Sequence, residues 1–118
     1  MRIGFTLATL GVLGALATPA SAHVSLVKAT PPANAAGAAP TAIQLQFSGK
    51  VEPGFSGFDL LKADGSKVPV VAQPAAADGR AISGKVGQPL SPGVYKVAWR
   101  IVSTDGHRMT GAYNFTVR

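Results

Sequence analysis

The stretch GVYKVAWRIV, residues 93 to 102, decides the fold of this chain. Apolar side chains stand at every second position, at Tyr95, Val97, Trp99 and Ile101. This alternation has the period of a β-strand that turns one face to a core and the other to solvent. The stretch therefore predicts the strongest strand of the chain, with Trp99 as a core residue.

Six further short segments show the same period, and no run of 11 residues carries a convincing helical stripe. Turn signals rich in Gly, Pro and Asp separate them. Pro69 interrupts one segment, which predicts an edge strand. The segments are 24–26 (ending at Thr30-Pro31-Pro32), 43–47, 58–61, 68–71, 80–86 and 113–117. Seven short strands predict an all-β fold, a seven-stranded antiparallel Ig-like β-sandwich of Greek-key type.

The first 22 residues have the pattern of a secretory signal peptide. Arg2 precedes an apolar run from Ile3 to Ala17, and the small-residue sequence TPASA ends at Ala22. The run is shorter than the ~20 residues of a membrane-spanning helix, although an uncleaved anchor remains the alternative. We expect residues 1–22 to be removed and residues 23–118 to form one exported domain that does not span the membrane.

Composition excludes several classes of function. The chain has no cysteine, so it lacks disulfides, thiolate metal ligands and thiol redox chemistry. Eleven Lys and Arg against five Asp and Glu give a net charge of +6, but the basic residues are dispersed along the chain. Nucleic-acid binding needs a clustered basic patch or a known motif, so we expect no nucleic-acid partner.

Strand parity brings the two histidines of the chain to one end of the predicted sandwich. If successive strands alternate in direction, the start of the first strand lies beside the connection between the sixth and seventh. His23 then shares an end with residues 103–108, which contain His107, and with residues 48–57, which contain Glu52.

These residues suit a metal ion once the signal peptide is removed. A free N-terminal His23 chelates through its α-amino nitrogen and its Nδ1, while His107 adds an imidazole and Asp105 a carboxylate oxygen. Nitrogen-rich tetragonal sets favour Cu(II), with zinc and nickel as competitors. Amine and imidazole must lose protons, so affinity should fall below about pH 6–7. The Asp105-Gly106 dipeptide is also explained by a simple turn, so the pair with His107 is weak evidence alone.

Catalytic arrangements are poorly supported. No serine or cysteine stands with both a histidine and an orienting acid at a recognisable spacing. Asp105 and Glu52 could form a carboxylate pair, but nothing in their spacing or surroundings favours general acid–base work. We expect no enzyme activity.

The sequence resembles the CopC family of periplasmic copper-binding proteins over nearly all of residues 23–118. The segments that carry the resemblance are AHV (22–24), ATPP (29–32), LQFS (45–48), GVYKV (93–97) with Trp99, VSTDGH (102–107) and GAYNFTV (111–117). The resemblance implies a copper carrier or chaperone in copper homeostasis or resistance, with one Cu(II) per chain bound by His23, Asp105 and His107. It also implies a CopD-type inner-membrane protein as a partner.

Two features of the chain depart from the family pattern. Some members carry a methionine-rich Cu(I) site, but this chain has only Met1 and Met109, so we expect no such site. Some members have an acidic residue directly after the Phe-Ser of the second strand, where this chain has Gly49. Glu52 is the residue that would substitute for it.

Two other functions stay open as alternatives. A copper-brace oxidase also uses an N-terminal histidine, but with two histidines, open positions for oxygen and a broad substrate face. Asp105 as a ligand would occupy one such position. The other alternative is a non-catalytic structural Ig-like module in which both histidines are incidental.

Overall fold

The structure, a computed structural model, describes residues 23–118. The predicted signal peptide, residues 1–22, lies outside the described residues. Within them the chain forms nine strands and a 3-10 turn at Pro53–Phe55. The strands are β1 (Leu26–Thr30), β2 (Ala36–Gly37), β3 (Ala42–Phe47), β4 (Gly57–Lys62), β5 (Lys67–Val68), β6 (Val70–Ala72), β7 (Ala81–Val86), β8 (Gly93–Val102) and β9 (Arg108–Val117).

Two sheets face each other across the core. One has four strands in the order β1-β3-β7-β6, and the other has five in the order β2-β9-β8-β4-β5. The predicted all-β sandwich is confirmed. The pairing is antiparallel except between β2 and β9, which run parallel, so the uniformly antiparallel prediction is wrong for that pair.

The alternation in residues 93–102 produces the central strand β8. Tyr95, Val97 and Ile101 are buried, whereas Lys96 and Arg100 point to solvent. Trp99 is half-buried and packs against the core.

Aromatic contacts help to join the strands and the sheets. Phe47 of β3 meets Trp99 edge to face, with ring centroids 5.3 Å apart and planes at 67°. Tyr95 stacks on Phe115 of β9, with centroids 5.7 Å apart. Phe47 lies on the inward face of one sheet and Trp99 on the inward face of the other, so both have the core roles predicted for them.

The strand count differs from the prediction for two reasons: one predicted strand divides in two, and one short strand lies in a tract whose composition predicts a loop. The predicted strand at 68–71 breaks at Pro69, so β5 and β6 belong to different sheets. Proline has no N–H for a ladder, and both pieces lie at sheet edges as expected. Strand β2 lies in the proline-rich tract 31–40, where only two residues pair with β9. Two residues are too few to show any alternation in the sequence.

Residues 23–118 include no helix with the length and hydropathy that a bilayer-spanning segment requires.

Gly111 gives a test of how closely the β8–β9 pair is packed. A Cβ at this position would clash with the edge of the Trp99 indole ring, whereas a Cβ at Gly37 would meet nothing within 4 Å. We expect Gly111→Ala to lower the free energy of unfolding by about 1–3 kcal/mol through overpacking. Urea unfolding measures the change, with Gly37→Ala as the matched control. Equal stability of the two variants would contradict the packing shown here.

Tyr113 gives a test at high pH. Its hydroxyl is buried without a hydrogen-bond partner among the described residues, and burial raises the pKa of Tyr113 to about 12. The unfolded chain ionises near pH 10, so the stability contributed by the neutral phenol is complete below pH ~10 and is lost as the pH rises through about 12. Tyrosinate absorbance should show a late ionisation that Tyr113→Phe removes. Retention of that phase in the variant would contradict its assignment to Tyr113.

Candidate metal centre

The loop between β8 and β9 is a tight turn closed by its own backbone. Ser103 N–H donates to the His107 carbonyl at 2.9 Å, and Gly106 N–H donates to the Ser103 carbonyl at 2.8 Å. Gly106 has a φ of 91°, a left-handed conformation that glycine adopts without a Cβ clash. The turn predicted from Asp105-Gly106 is therefore present, and it sets the spacing of the side chains on either side.

Asp105 and His107 come together across this turn. The Nδ1 of His107 lies 3.1 Å from Oδ2 of Asp105, and the backbone N–H of His107 donates to Oδ1 at 3.2 Å. Both side chains are accessible, with 47% of Asp105 and 72% of His107 exposed. The pair offers an imidazole nitrogen and a carboxylate oxygen to solvent side by side.

Ser103 holds Asp105 from the buried side of the loop. It is buried, with 3% exposure, and its hydroxyl donates to Oδ1 of Asp105. The Oγ of Ser103 also accepts from the backbone N–H of His107 at 3.3 Å. The sequence alone indicates only that Ser103 belongs to the loop. The Ser-x-Asp-x-His spacing was the signal available, since alternate residues of a tight turn converge on one side.

These contacts change the ionisation of Asp105. The Ser103 hydroxyl, followed by the His107 backbone N–H, holds the pKa of Asp105 below its usual value. Each donor favours the charged carboxylate. The stabilisation is present above about pH 4, the unfolded value, and is lost as the pH falls through the lower folded pKa.

The spacing of the pair suits two neighbouring positions on one metal ion. Ligand bonds of divalent first-row metals to imidazole and carboxylate are about 2.0–2.2 Å long. Two donors 3.1 Å apart then subtend about 90–100° at the ion, close to the right angle of a tetragonal site. At this spacing Asp105 and His107 could serve as adjacent ligands of one metal ion in exchange for the contact between Nδ1 and Oδ2.

His23 begins the segment that leads to this end of the sandwich. Ser48 N–H donates to the Ser25 carbonyl at 2.8 Å, which extends the β1–β3 pairing past Leu26 and Phe47. Two residues further on, Lys50 accepts from Thr104 N–H at 3.3 Å. Since His23 stands two residues before Ser25, its backbone lies at the end of the sandwich where Lys50 meets the β8–β9 loop. Its side chain is exposed.

The three predicted ligands do not form one cluster. Among residues 23–118 there is no group of three or more His, Asp or Glu side chains arranged to hold a metal. The structure brings together Asp105 and His107 and leaves His23 apart.

Gly49 and Glu52 lie at the same end. A Cβ at Gly49 would approach the Val24 side chain at 2.9 Å, so the small residue allows the chain beside His23 to pack closely. Glu52 N–H donates to the Val102 carbonyl at 2.7 Å, which joins its segment to the end of β8. Its side chain makes no hydrogen bond or ion pair with any described residue. The substitution of Glu52 for an acidic residue at position 49 stays a prediction.

Comparisons with known proteins agree on one family. The family model described as the CopC domain matches residues 26–118. Copper resistance protein C of Escherichia coli is 39% identical over 115 residues, covering 92% of this chain and 91% of that protein.

Solved structures give the same result. CopC from Methylosinus trichosporium OB3b has a TM-score of 0.74 and 36% identity, covering 80% of this chain and 93% of that one. PcoC, a methionine-rich copper resistance protein from Escherichia coli, has a TM-score of 0.71 and 40% identity, covering 82% and 100%.

Replacement of Ser103 tests its hold on the aspartate. Ser103→Ala removes the first of the two donors, so we expect the pKa of Asp105 to rise toward its ordinary value. Ser103→Thr keeps a hydroxyl and should restore the low pKa. Carboxyl ¹³C NMR of Asp105 across an acid titration measures both variants. An unchanged titration in Ser103→Ala would show that the backbone N–H of His107 is sufficient.

Proposed function

The chain belongs to the CopC family, and from this premise we propose that it binds one Cu(II) ion through His23, Asp105 and His107. Membership in a family of copper-resistance proteins supports a copper-binding role. The observation that carries the proposed site is the Asp105–His107 pair, 3.1 Å apart and anchored by buried Ser103. A carboxylate and nitrogen donors suit Cu(II) better than Cu(I).

Removal of residues 1–22 completes the proposed donor set. While Ala22 is attached, the backbone nitrogen of His23 is a peptide amide and binds metal poorly. Cleavage converts it to an amine, which closes a chelate ring with the imidazole of the same residue.

A second site of the methionine-rich type is not part of the proposal. The Escherichia coli relative PcoC is described as methionine-rich. Here Met109 is the one methionine in residues 23–118, and it is half-buried against the core. A single thioether packed in this way does not make a Cu(I) site, which draws on several soft ligands.

The role we propose is carriage of copper in the periplasm, without catalysis. Asp105 and His107 occupy neighbouring metal positions, which leaves less room for oxygen than a site with two histidines alone. Among residues 23–118, Phe55 is the one strongly exposed aromatic, so no broad aromatic surface for a polysaccharide is present there. Exchange of copper with a CopD-type inner-membrane protein is the proposed partnership.

Copper titration of two forms of the protein tests the N-terminal chelate. The form that begins at His23 should bind one equivalent of Cu(II) and give a tetragonal EPR spectrum with nitrogen hyperfine structure. A form with one alanine before His23 should bind more weakly by over ~100-fold, beyond the usual effect of losing an outer contact. Both forms keep every side chain, so they form a matched pair. Equal affinity would remove the α-amino nitrogen from the proposal, and a second tight equivalent would contradict the single site.

Side-chain variants rank the remaining donors. His107→Ala should weaken Cu(II) binding by at least ~100-fold, while Asp105→Ala should cost less because the chelate at His23 remains. Affinity should fall as the pH drops below about 6–7, where amine and imidazole hold protons. Competition against a chelator of known affinity measures each variant, with Asp64→Ala as an acidic control in the turn after β4, where Lys62 pairs with Tyr95 near the other end of β8. Wild-type affinity in His107→Ala would exclude the β8–β9 loop from the site.

A further inference from the structure

We propose that the outer surface beside the β8–β9 loop docks an acidic partner protein that exchanges copper with this one. The surface consists of Phe55, Arg100, Val102, Arg108 and Thr110, and we call it the Phe55 surface. The proposal rests on the proposed function, since it names the chemistry of the copper-exchange partner. It predicts a partner that presents carboxylates around an apolar side chain.

Phe55 is an exposed aromatic that is held in place by hydrogen bonds. It is 72% exposed at the end of the 3-10 turn. Its own N–H donates to the Glu52 carbonyl at 3.1 Å. On either side, Glu52 N–H donates to the Val102 carbonyl at 2.7 Å, and Val102 N–H donates to Ser56 Oγ at 3.1 Å. An aromatic ring presented on an anchored turn loses little conformational entropy on binding, which is typical of interface anchors.

Two arginines share the face next to this ring. Arg100 of β8 pairs with Thr110 of β9, and Val102 pairs with Arg108, so all four side chains stand on one side of the sheet. Both arginines are exposed, and Val102 is half-buried between them. A groove of about 340 Å³ runs between Phe55 and these residues. Arginine beside an aromatic is the composition that protein interfaces favour.

The charge of the surface selects an acidic partner. Among the described residues, Arg108 has no carboxylate within 4.0 Å. Arg100 has Asp59 at 3.8 Å, but that carboxylate also lies 3.7 Å from Lys67. A second copy of this chain would bring the same cations to a protein of net charge +6, so self-association is opposed.

The Phe55 surface adjoins the proposed copper ligands. Arg108 directly follows His107, and Val102 directly precedes Ser103, which anchors Asp105. Glu52 and Asp105 border the surface on this side, and a bound divalent cation would offset their charge. A protein seated on Phe55 would therefore lie against the copper loop, where ligands can be exchanged.

Copper transfer to synthetic peptides tests the proposal. Each peptide begins with the copper-chelating sequence Gly-Gly-His and continues through a Gly-Ser linker to a tail. The tails are Asp-Leu-Glu-Asp, its lysine counterpart Lys-Leu-Lys-Lys, and Asp-Ser-Glu-Asp without the apolar residue. We expect Cu(II) to pass from the form beginning at His23 to the Asp-Leu-Glu-Asp peptide about tenfold faster than to the lysine peptide at low ionic strength. The serine tail should give an intermediate rate.

Matched variants locate the effect. Phe55→Ser and Arg108→Gln should remove most of the preference, while Val27→Ser and Lys28→Gln should keep it. Val27 is likewise an exposed apolar residue, and both controls lie on β1 in the other sheet. Thermal unfolding verifies that the variants fold. A copper-free measurement accompanies the rates: ¹⁵N NMR should show the Asp-Leu-Glu-Asp peptide shifting the amides of Phe55, Arg100 and Arg108.

The outcomes separate this proposal from the copper site. Failure to bind Cu(II) at all would refute the proposed function, whatever the peptides do. Tight Cu(II) binding with equal transfer to all peptides, and no NMR shifts at Phe55, would refute the docking surface alone. Phe55-dependent binding to phosphatidylglycerol vesicles without a peptide preference would assign the surface to a membrane. Phe55-dependent dimers in sedimentation velocity would assign it to a second copy, and either result overturns the proposal.

Discussion

The pairing of β8 with β9 is the constraint on which the rest of the structure depends. It runs without interruption from Gly93 and Val117 to Val102 and Arg108. On its inner face Trp99 makes the aromatic contact with Phe47 of β3, and its outer face carries the arginines of the Phe55 surface. At its far end it closes the loop of Asp105 and His107. A shift of one residue in this register would exchange the two faces and disperse all three features.

Ser103 connects the core of the sandwich to the chemistry of its end. It is buried, it pairs with Val51 in an isolated bridge, and its hydroxyl holds Asp105. The carboxylate is thereby fixed by a residue that cannot move without disturbing the core. Such support from beneath orients metal ligands and limits their rotamers. The same bridge brings the segment of Glu52 and Phe55 against β8, so one anchoring residue organises both the proposed copper ligands and the neighbouring docking surface.

Sequence patterns predicted the class of fold and the turn that contains Asp105, because both depend on short-range regularities. Alternation over Tyr95 to Ile101 requires a strand, and Asp105-Gly106 requires a turn. The division at Pro69 and the two-residue strand β2 were not predictable, because each depends on which sheet edge a few residues meet. The role of Ser103 was also hidden, since burial of a hydroxyl under a carboxylate is a property of the folded loop.

The sequence by itself determined the alternating strands, the absence of thiol chemistry and the presence of only two histidines, since composition and period do not depend on folding. Tertiary structure alone decided which groups meet. It placed His107 beside Asp105 at 3.1 Å, set Ser103 beneath them and put Phe55 next to Arg108 on the outer face. These contacts arise from sheet register and hydrogen bonds between segments some fifty residues apart, as between Val51 and Ser103. No local pattern encodes such distances, because they follow from how the whole chain packs.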